Sequence, residues 1–148
     1  MIFFIFLIFL ITGEFYLKNY FETNYTKEQK QQCFFGKILL RKYHNYGAFL
    51  NFMEKKKKFL HFISLLFTLI ISLLFLFTLF HRGNKLLKLG LTLLLGGAFS
   101  NTYDRLLRGY VVDYFSFSTP FPKFNRIVFN LSDFCIIIGS LLLVVSEH

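Results

Sequence analysis

Apolar residues in this chain come in long runs rather than at the spacing of an amphipathic helix or a half-buried strand. From position 59 to 80 no formal charge interrupts the Leu, Ile and Phe, a length sufficient for a helix to cross roughly 30 Å of hydrocarbon. Residues 2–20 read the same way if the helix carries Glu14 and Lys18 near its end. Further runs at 86–103 and 127–145 complete four expected transmembrane helices. The expected fold is therefore an all-α membrane protein, with residues 1–148 as a single integral membrane domain. Between helices one and two lies a polar stretch. Its pieces 33–43 and 46–52 flank Asn45-Tyr46-Gly47, which predicts a small β-like hairpin region turning at those residues. A short link at 81–85 joins spans two and three, and the segment 104–126, with Pro120 and Pro122, joins spans three and four.

Composition agrees with this reading. Hydrophobic residues make up 55% of the 148 positions and charged ones 17%, which suits a membrane domain better than a soluble one. The first run lacks a basic leader and a small-x-small cleavage site, so a retained anchor is expected rather than a signal peptide. Two cysteines, Cys33 and Cys135, make no disulfide framework. The histidines lack metal-ligand spacing, so neither a metal nor another cofactor is expected. The net charge of +9 comes from basic residues flanking apolar spans, which points to anionic lipid headgroups rather than nucleic acid as partner.

With four crossings, the first and third connections share one side of the membrane. Glu14, Lys18, Asn45, Asn101, Asp104, Asp113, Asn130 and Asp133 all fall at that side, where chance placement would scatter them. So do 14 of the 17 Lys and Arg, including Lys55 to Lys58, leaving Arg82, Lys85 and Lys88 for the other end. Taken alone, that charge asymmetry places the polar cluster in the cytoplasm.

An ionisable group at membrane depth is costly and so is a candidate for function. Asp133 lies inside the last apolar run, with Asn130 three residues before it; a carboxylate at the interface is the plain alternative. Asn101 and Asp104 repeat the Asn-x-x-Asp spacing, and Asp104 also has Arg108 four residues on for an ion pair. Glu14 and Lys18 have the same spacing and the same plain explanation. Asp113 sits among β-branched and aromatic neighbours, unusual company for a solvated loop aspartate. Two carboxylates in a poorly solvated pocket share one proton, and such a pair activates water on one member and polarises a carbonyl with the other. Asp113 and Asp133 meet if the proline-containing segment folds back over span four. Gly96-Gly97 is expected to allow close helix packing.

Gly96-Gly97-Ala98-Phe99-Ser100-Asn101-Thr102-Tyr103-Asp104-Arg105, then Gly109-Tyr110-Val111-Val112-Asp113-Tyr114, then Phe129-Asn130-Leu131-Ser132-Asp133 together resemble the signal peptidase II family, the lipoprotein signal peptidases. Asn45-Tyr46-Gly47-Ala48 is similar to that family's N-x-G-A segment and Glu14 to Lys18 to its D-x-x-x-K element. The resemblance implies an aspartic endopeptidase with Asp113 and Asp133 as the catalytic pair, supported by Asn45, Asn101, Asp104, Arg105, Asn130, Glu14 and Lys18. It implies a bacterial cytoplasmic membrane protein without metal, with the active site and the β-like region toward the outer face. Its substrates would be prolipoproteins cut before a diacylglyceryl-modified cysteine. Glu14 stands where the family has Asp, Ser100 where Gly is usual, and Phe49 where a second small residue often follows. Two other readings stay open: a catalytically inactive relative that binds lipoprotein or lipid, and a small ion-transport component lined by Asp104, Asp113 and Asp133.

Overall fold

A computed structural model describes residues 1–47, 56–81, 83–121 and 124–146. Four α-helices and a three-stranded sheet account for most of them: α1 (Ile2–Asn24), β1 (Lys30–Cys33), β2 (Ile38–Asn45), α2 (Lys57–Phe80), α3 (Lys85–Leu107), β3 (Val111–Phe117) and α4 (Leu131–Ser146), with a 3-10 turn at Phe124–Arg126. α1 and α2, of 23 and 24 residues, are long and apolar enough to cross a membrane. At about 1.5 Å per residue each reaches beyond the hydrocarbon thickness. α3 matches them in length but is far less apolar, with Lys85, Lys88, Asp104 and Arg105 in its ends; α4 has 16 residues.

Lipid tails are as apolar as leucine, so burying apolar surface does little to bring such helices together; close packing and interhelical hydrogen bonds hold them instead. Both devices are present. At one end Leu7 of α1, Phe75 of α2 and Leu91 and Leu95 of α3 form a buried apolar cluster. α4 approaches α3 along a glycine seam: a Cβ on Gly139 would stand 2.6 Å from the Leu94 backbone nitrogen and 2.7 Å from the Gly90 oxygen. A Cβ on Gly97 would overlap the Ser132 carbonyl, as the close-packing expectation for Gly96-Gly97 requires, whereas Gly96 meets Leu10 at an ordinary 3.4 Å. α2 is fastened to α3 through the Thr68 and Thr102 hydroxyls, 2.8 Å apart.

The sheet differs from the expected hairpin. Its order is β1-β2-β3, all antiparallel, so β2 is central and the sheet joins both connections on the site's side. The hairpin turns at 34–37, with Cys33 paired to Ile38, and not at Asn45-Tyr46-Gly47. Asn45 instead ends β2 opposite Val111; residues 48–52 of the expected second arm, Phe49 among them, lie outside the described residues, as do Lys55 and Pro122. Phe34 and Phe35 hold the turn at φ of 50° and 56°, a left-handed conformation that costs a bulky residue about 1 kcal/mol or more. The register slips between Leu40 and Tyr43, a bulge that gives β2 one residue more than β3.

Helix α4 starts four residues later than the apolar run suggests. Ile127 and Val128 are buried in the approach to the helix, and Phe129 forms a bridge with Phe115 of β3. The Tyr114 and Phe115 amides donate to the Phe129 carbonyl at 2.9 and 3.0 Å, and the Phe129 amide donates back to Phe115 at 2.7 Å. Backbone pairing therefore draws β3 against the head of α4.

Candidate active site

Asp113 lies on β3, on the strand face shared with Val111 and therefore with Asn45 across the ladder. Asp133 is the third residue of α4. Both line one cavity of about 190 Å³, whose walls include Val111, Val128, Phe129, Ile136 and Ile137 and whose polar lining includes Asn45, Asn101 and Arg105. The carboxylates are joined through amides. Asn130 Nδ2 donates to Asp113 Oδ1 at 2.6 Å and lies 3.3 Å from Asn101 Oδ1; Asn101 Nδ2 donates to Asp133 Oδ1 at 3.1 Å; Asn45 Nδ2 donates to Asp113 Oδ2 at 3.0 Å.

Asn130 is not one turn up a continuous helix from Asp133. It precedes the first helical residue and forms a reciprocal cap: its backbone N–H donates to Asp133 Oδ2 at 3.1 Å, and the Asp133 N–H donates to Asn130 Oδ1 at 3.0 Å. The Asn-x-x-Asp spacing at 130–133 is thus a helix start, while the same spacing at 101–104 lies within α3.

Behind the cavity sits a buried ionic cluster. The Lys18 ammonium, fully covered, donates to Ser100 Oγ and Asn101 Oδ1 at 2.9 Å each and pairs with Asp104 Oδ2 at 3.1 Å. Its sequence neighbour Glu14 is farther, at 3.8 Å. The simple Glu14–Lys18 pair is therefore the weakest of these contacts. Asp104 does pair with Arg108, at 3.2 Å, and also accepts from the Val112 amide at 3.2 Å, so one carboxylate ties α1, α3 and β3 together. Arg105 donates to the Asn101 and Gly47 carbonyls, both at 3.3 Å.

Glu14 works elsewhere. Its carboxylate accepts from the Ser132 backbone N–H at 3.2 Å, from Ser132 Oγ at 3.0 Å and from the Tyr114 hydroxyl at 2.8 Å; that hydroxyl accepts the Leu131 N–H at 2.9 Å. Glu14 and Tyr114 thereby satisfy N–H groups that open α4. Burial, then the Glu14 carboxylate, raises the Tyr114 pKa, keeping the phenol protonated as a donor. Tyr114 and Ser132 were not singled out from sequence; each stands beside a candidate aspartate inside a quoted motif, which was the available signal. Ser100, a departure from the resembled pattern, supplies an acceptor for Lys18.

Burial, and secondarily the Asp133 carboxylate, push the Asp113 carboxyl up to about 8, against the opposing pull of the Asn45 and Asn130 amides. Asp113 thus holds a proton more readily than an ordinary carboxylate. Cys33 and Cys135 are both free thiols. Among the described residues no group of three His, Cys, Asp or Glu stands close enough to hold a metal ion.

Two solved structures, each titled as a bacterial membrane enzyme, superpose on 98% of the chain with TM-scores of 0.82 and 0.77, covering 86% and 91% of those chains at 21% identity. The family model described as signal peptidase (SPase) II matches residues 4–147, and the chain belongs to that family. Among proteins named lipoprotein signal peptidase, it is 34% identical to one from Alteromonas mediterranea over 104 residues, 69% of this chain and 56% of that one. It is 37% identical to one from Caldicellulosiruptor bescii over 73% of this chain and 65% of the relative, and 29% identical to one from Buchnera aphidicola over 95% and 89%. The chain thus spans little more than half the length of the first relative and most of the last. The family's activity is the removal of signal peptides from lipoprotein precursors, a peptidase reaction at a membrane.

Proposed function

We propose that this chain is an aspartic endopeptidase that cuts prolipoproteins immediately before a diacylglyceryl-modified cysteine, with Asp113 and Asp133 as the catalytic pair. The observation that carries the reading is the convergence of these two carboxylates, from β3 and α4, on one cavity, joined by the Asn101 and Asn130 amides. With one proton on the pair and Asp113 its holder, Asp133 serves as the base. Asp133 takes a proton from water as its oxygen attacks the scissile carbonyl, while the Asp113 hydroxyl donates to the carbonyl oxygen. Collapse of the tetrahedral intermediate returns a proton to the leaving amide nitrogen and restores the pair. Asn101 and Asn130 hold the carboxylates, Asn45 orients Asp113, and Arg105 edges the cavity where substrate backbone would lie. Lys18, Asp104 and Glu14 fix the elements that carry them.

In this reading all four helices cross the cytoplasmic membrane as one integral membrane domain. α3 and α4 enter with their polar ends at the site, which opens toward the outer face. The basic residues on that side then lie against anionic lipid, and long connections translocate despite their charge.

The test is incubation of the purified chain in detergent with a diacylglyceryl-modified precursor, read by mass spectrometry. Cleavage just before the modified cysteine, unaffected by chelators and absent in Asp113→Asn and Asp133→Asn, is the expected result. An intact precursor with the folded parent chain would overturn the proposal.

A further inference from the structure

The hairpin turn presents Phe34 and Phe35 with 72% and 105% of their surfaces exposed, and both in a backbone conformation that Asn or Gly would adopt more easily. Neither ring enters the core, so folding does not account for aromatic residues there. The Ser118 amide donates to the Lys37 carbonyl at 2.8 Å, and Ile38 pairs with Phe117, so the chain leaving β3 passes the same end of the sheet. Two more exposed rings, Phe121 and Phe124 at 66% and 60%, follow in that segment, packed edge to face on each other. Two segments far apart in sequence thus bring four uncovered Phe to one end of the sheet.

The height of that end follows from ring contacts. Phe117, the last residue of β3, lies 5.9 Å from the Phe129 ring and 6.3 Å from Phe134, centroid to centroid. Phe134 is in the first turn of α4. β3 therefore runs across the head of the helices and ends level with the place where α4 begins, rather than projecting away from the bundle. Exposed cations flank the rings: Lys37 in the turn and Arg126 after Phe124, while Lys30 and Glu28 lie toward the far end of β1.

We infer that this aromatic end of the sheet is an interfacial membrane anchor: Phe34, Phe35, Phe121 and Phe124 enter the headgroup boundary beside the bundle, and Lys37 and Arg126 bind anionic lipid phosphates. Phe side chains of an interfacial segment bury at the boundary between headgroups and acyl chains, and basic side chains gain from its negative potential. The anchor would hold β2 and β3, and with them Asn45 and Asp113, at a fixed height over the membrane. The inference rests on the family's membrane location and not on the identity of the catalytic pair.

The chain contains no tryptophan, so Phe35→Trp makes a sole reporter at a fully exposed position. The whole protein is placed in vesicles of phosphatidylcholine with or without phosphatidylglycerol, with acyl chains brominated near the headgroup or near the methyl end. Precursor cleavage in the same vesicles checks that the variant is folded. The expected result is blue-shifted emission, reduced about two-fold by bromines near the headgroup and less by deep ones. Phosphatidylglycerol should increase the quenching, and Lys37→Gln with Arg126→Gln should remove that increase. Phe121→Trp should behave alike, and Leu69→Trp, midway along α2, should be quenched most by deep bromines. Water-like, unquenched emission at positions 35 and 121 would overturn the inference. So would a blue shift without lipid quenching that grows with protein density, because a second copy would then cover the rings. Quenching indifferent to phosphatidylglycerol would overturn the assignment of an anionic surface.

Discussion

At one end of the bundle, α1, α2 and α3 meet through Leu7, Phe75, Leu91 and Leu95; at the other, α1 meets α3 through Lys18, Ser100, Asn101 and Asp104. The apolar end makes many weak, interchangeable contacts, so its failures should be graded and local. The polar end makes a few directed bonds among fully covered groups, so removing one strands the others. The same helices therefore carry a forgiving foot and an unforgiving head. The candidate site is built on the head, where displacement of one side chain displaces all.

The sharpest contrast separates chemistry from support. Asp113→Asn and Asp133→Asn should each lower turnover on the order of 10⁴-fold, above 5 kcal/mol in barrier, with folding intact. Turnover of purified, monodisperse variants checks this, and residual activity near the parent's would remove that aspartate from the pair.

Next in size is Lys18→Met, which deletes the ammonium shared by Asp104, Ser100 and Asn101. It should destabilise by about 3 kcal/mol, because the buried Asp104 carboxylate keeps only Arg108 as a cation and the Ser100 and Asn101 acceptors lose their donor, although Met suits a bilayer better than Lys. Leu91→Ala at the foot should cost about 2 to 4 kcal/mol by its cavity yet leave turnover per folded molecule unchanged. Thermal melts and kinetics of both variants break the comparison if Lys18→Met is stabilised or Leu91→Ala is inactive.

Asn130→Leu should lose about 10- to 100-fold in rate, about 1.4–2.7 kcal/mol, and about 1 kcal/mol of stability with the helix cap. Its position ahead of α4 is what adds the second loss; a residue on a continuous apolar helix would have tolerated Leu. Normal melting temperature and turnover together would show that neither bond matters.

The last expectation concerns pH. The Asp113 carboxyl is raised in the folded chain, so the native state holds its proton more tightly than the unfolded one. That contribution to stability is fully present below an unfolded value of about 4 and is lost as pH rises toward about 8. Turnover should fall over the basic limb as the pair gives up its one proton. Asp113→Asn should flatten the stability curve between these limits, and an unchanged slope in calorimetry would deny Asp113 its burdened carboxyl.

Much of this could be read in advance where the signal was local. The apolar runs of α1 and α2 show themselves residue by residue, and Asp113 and Asp133 stood out because their neighbours were wrong for solvated carboxylates. What was not legible depends on partners distant in sequence. Asn45 resembled a turn residue because Tyr46 and Gly47 follow it, but pairing with β3 makes it a strand end. The start of α4 was placed too early because Ile127 to Phe129 are as apolar as a helix, and only the Phe115 bridge diverts them. Lys18 looked paired with Glu14 because a helix brings i and i+4 together, while the stronger partners come from α3.

The slip in β2 sets how much the strand's length can vary. Leu40 and Asn45 are an odd number of residues apart, so a regular strand would turn them to opposite faces; the bulge brings both to the face of Val111, Asp113 and Phe115. Loss of one residue between Leu40 and Tyr43 would close the bulge into an even ladder with Asn45 still beside Asp113. Gain of one would swing Asn45 outward and bring His44 round in its place. The strand is thus tolerant of shortening and intolerant of lengthening at that point, and an insertion there acts on the site as a substitution of Asn45 would.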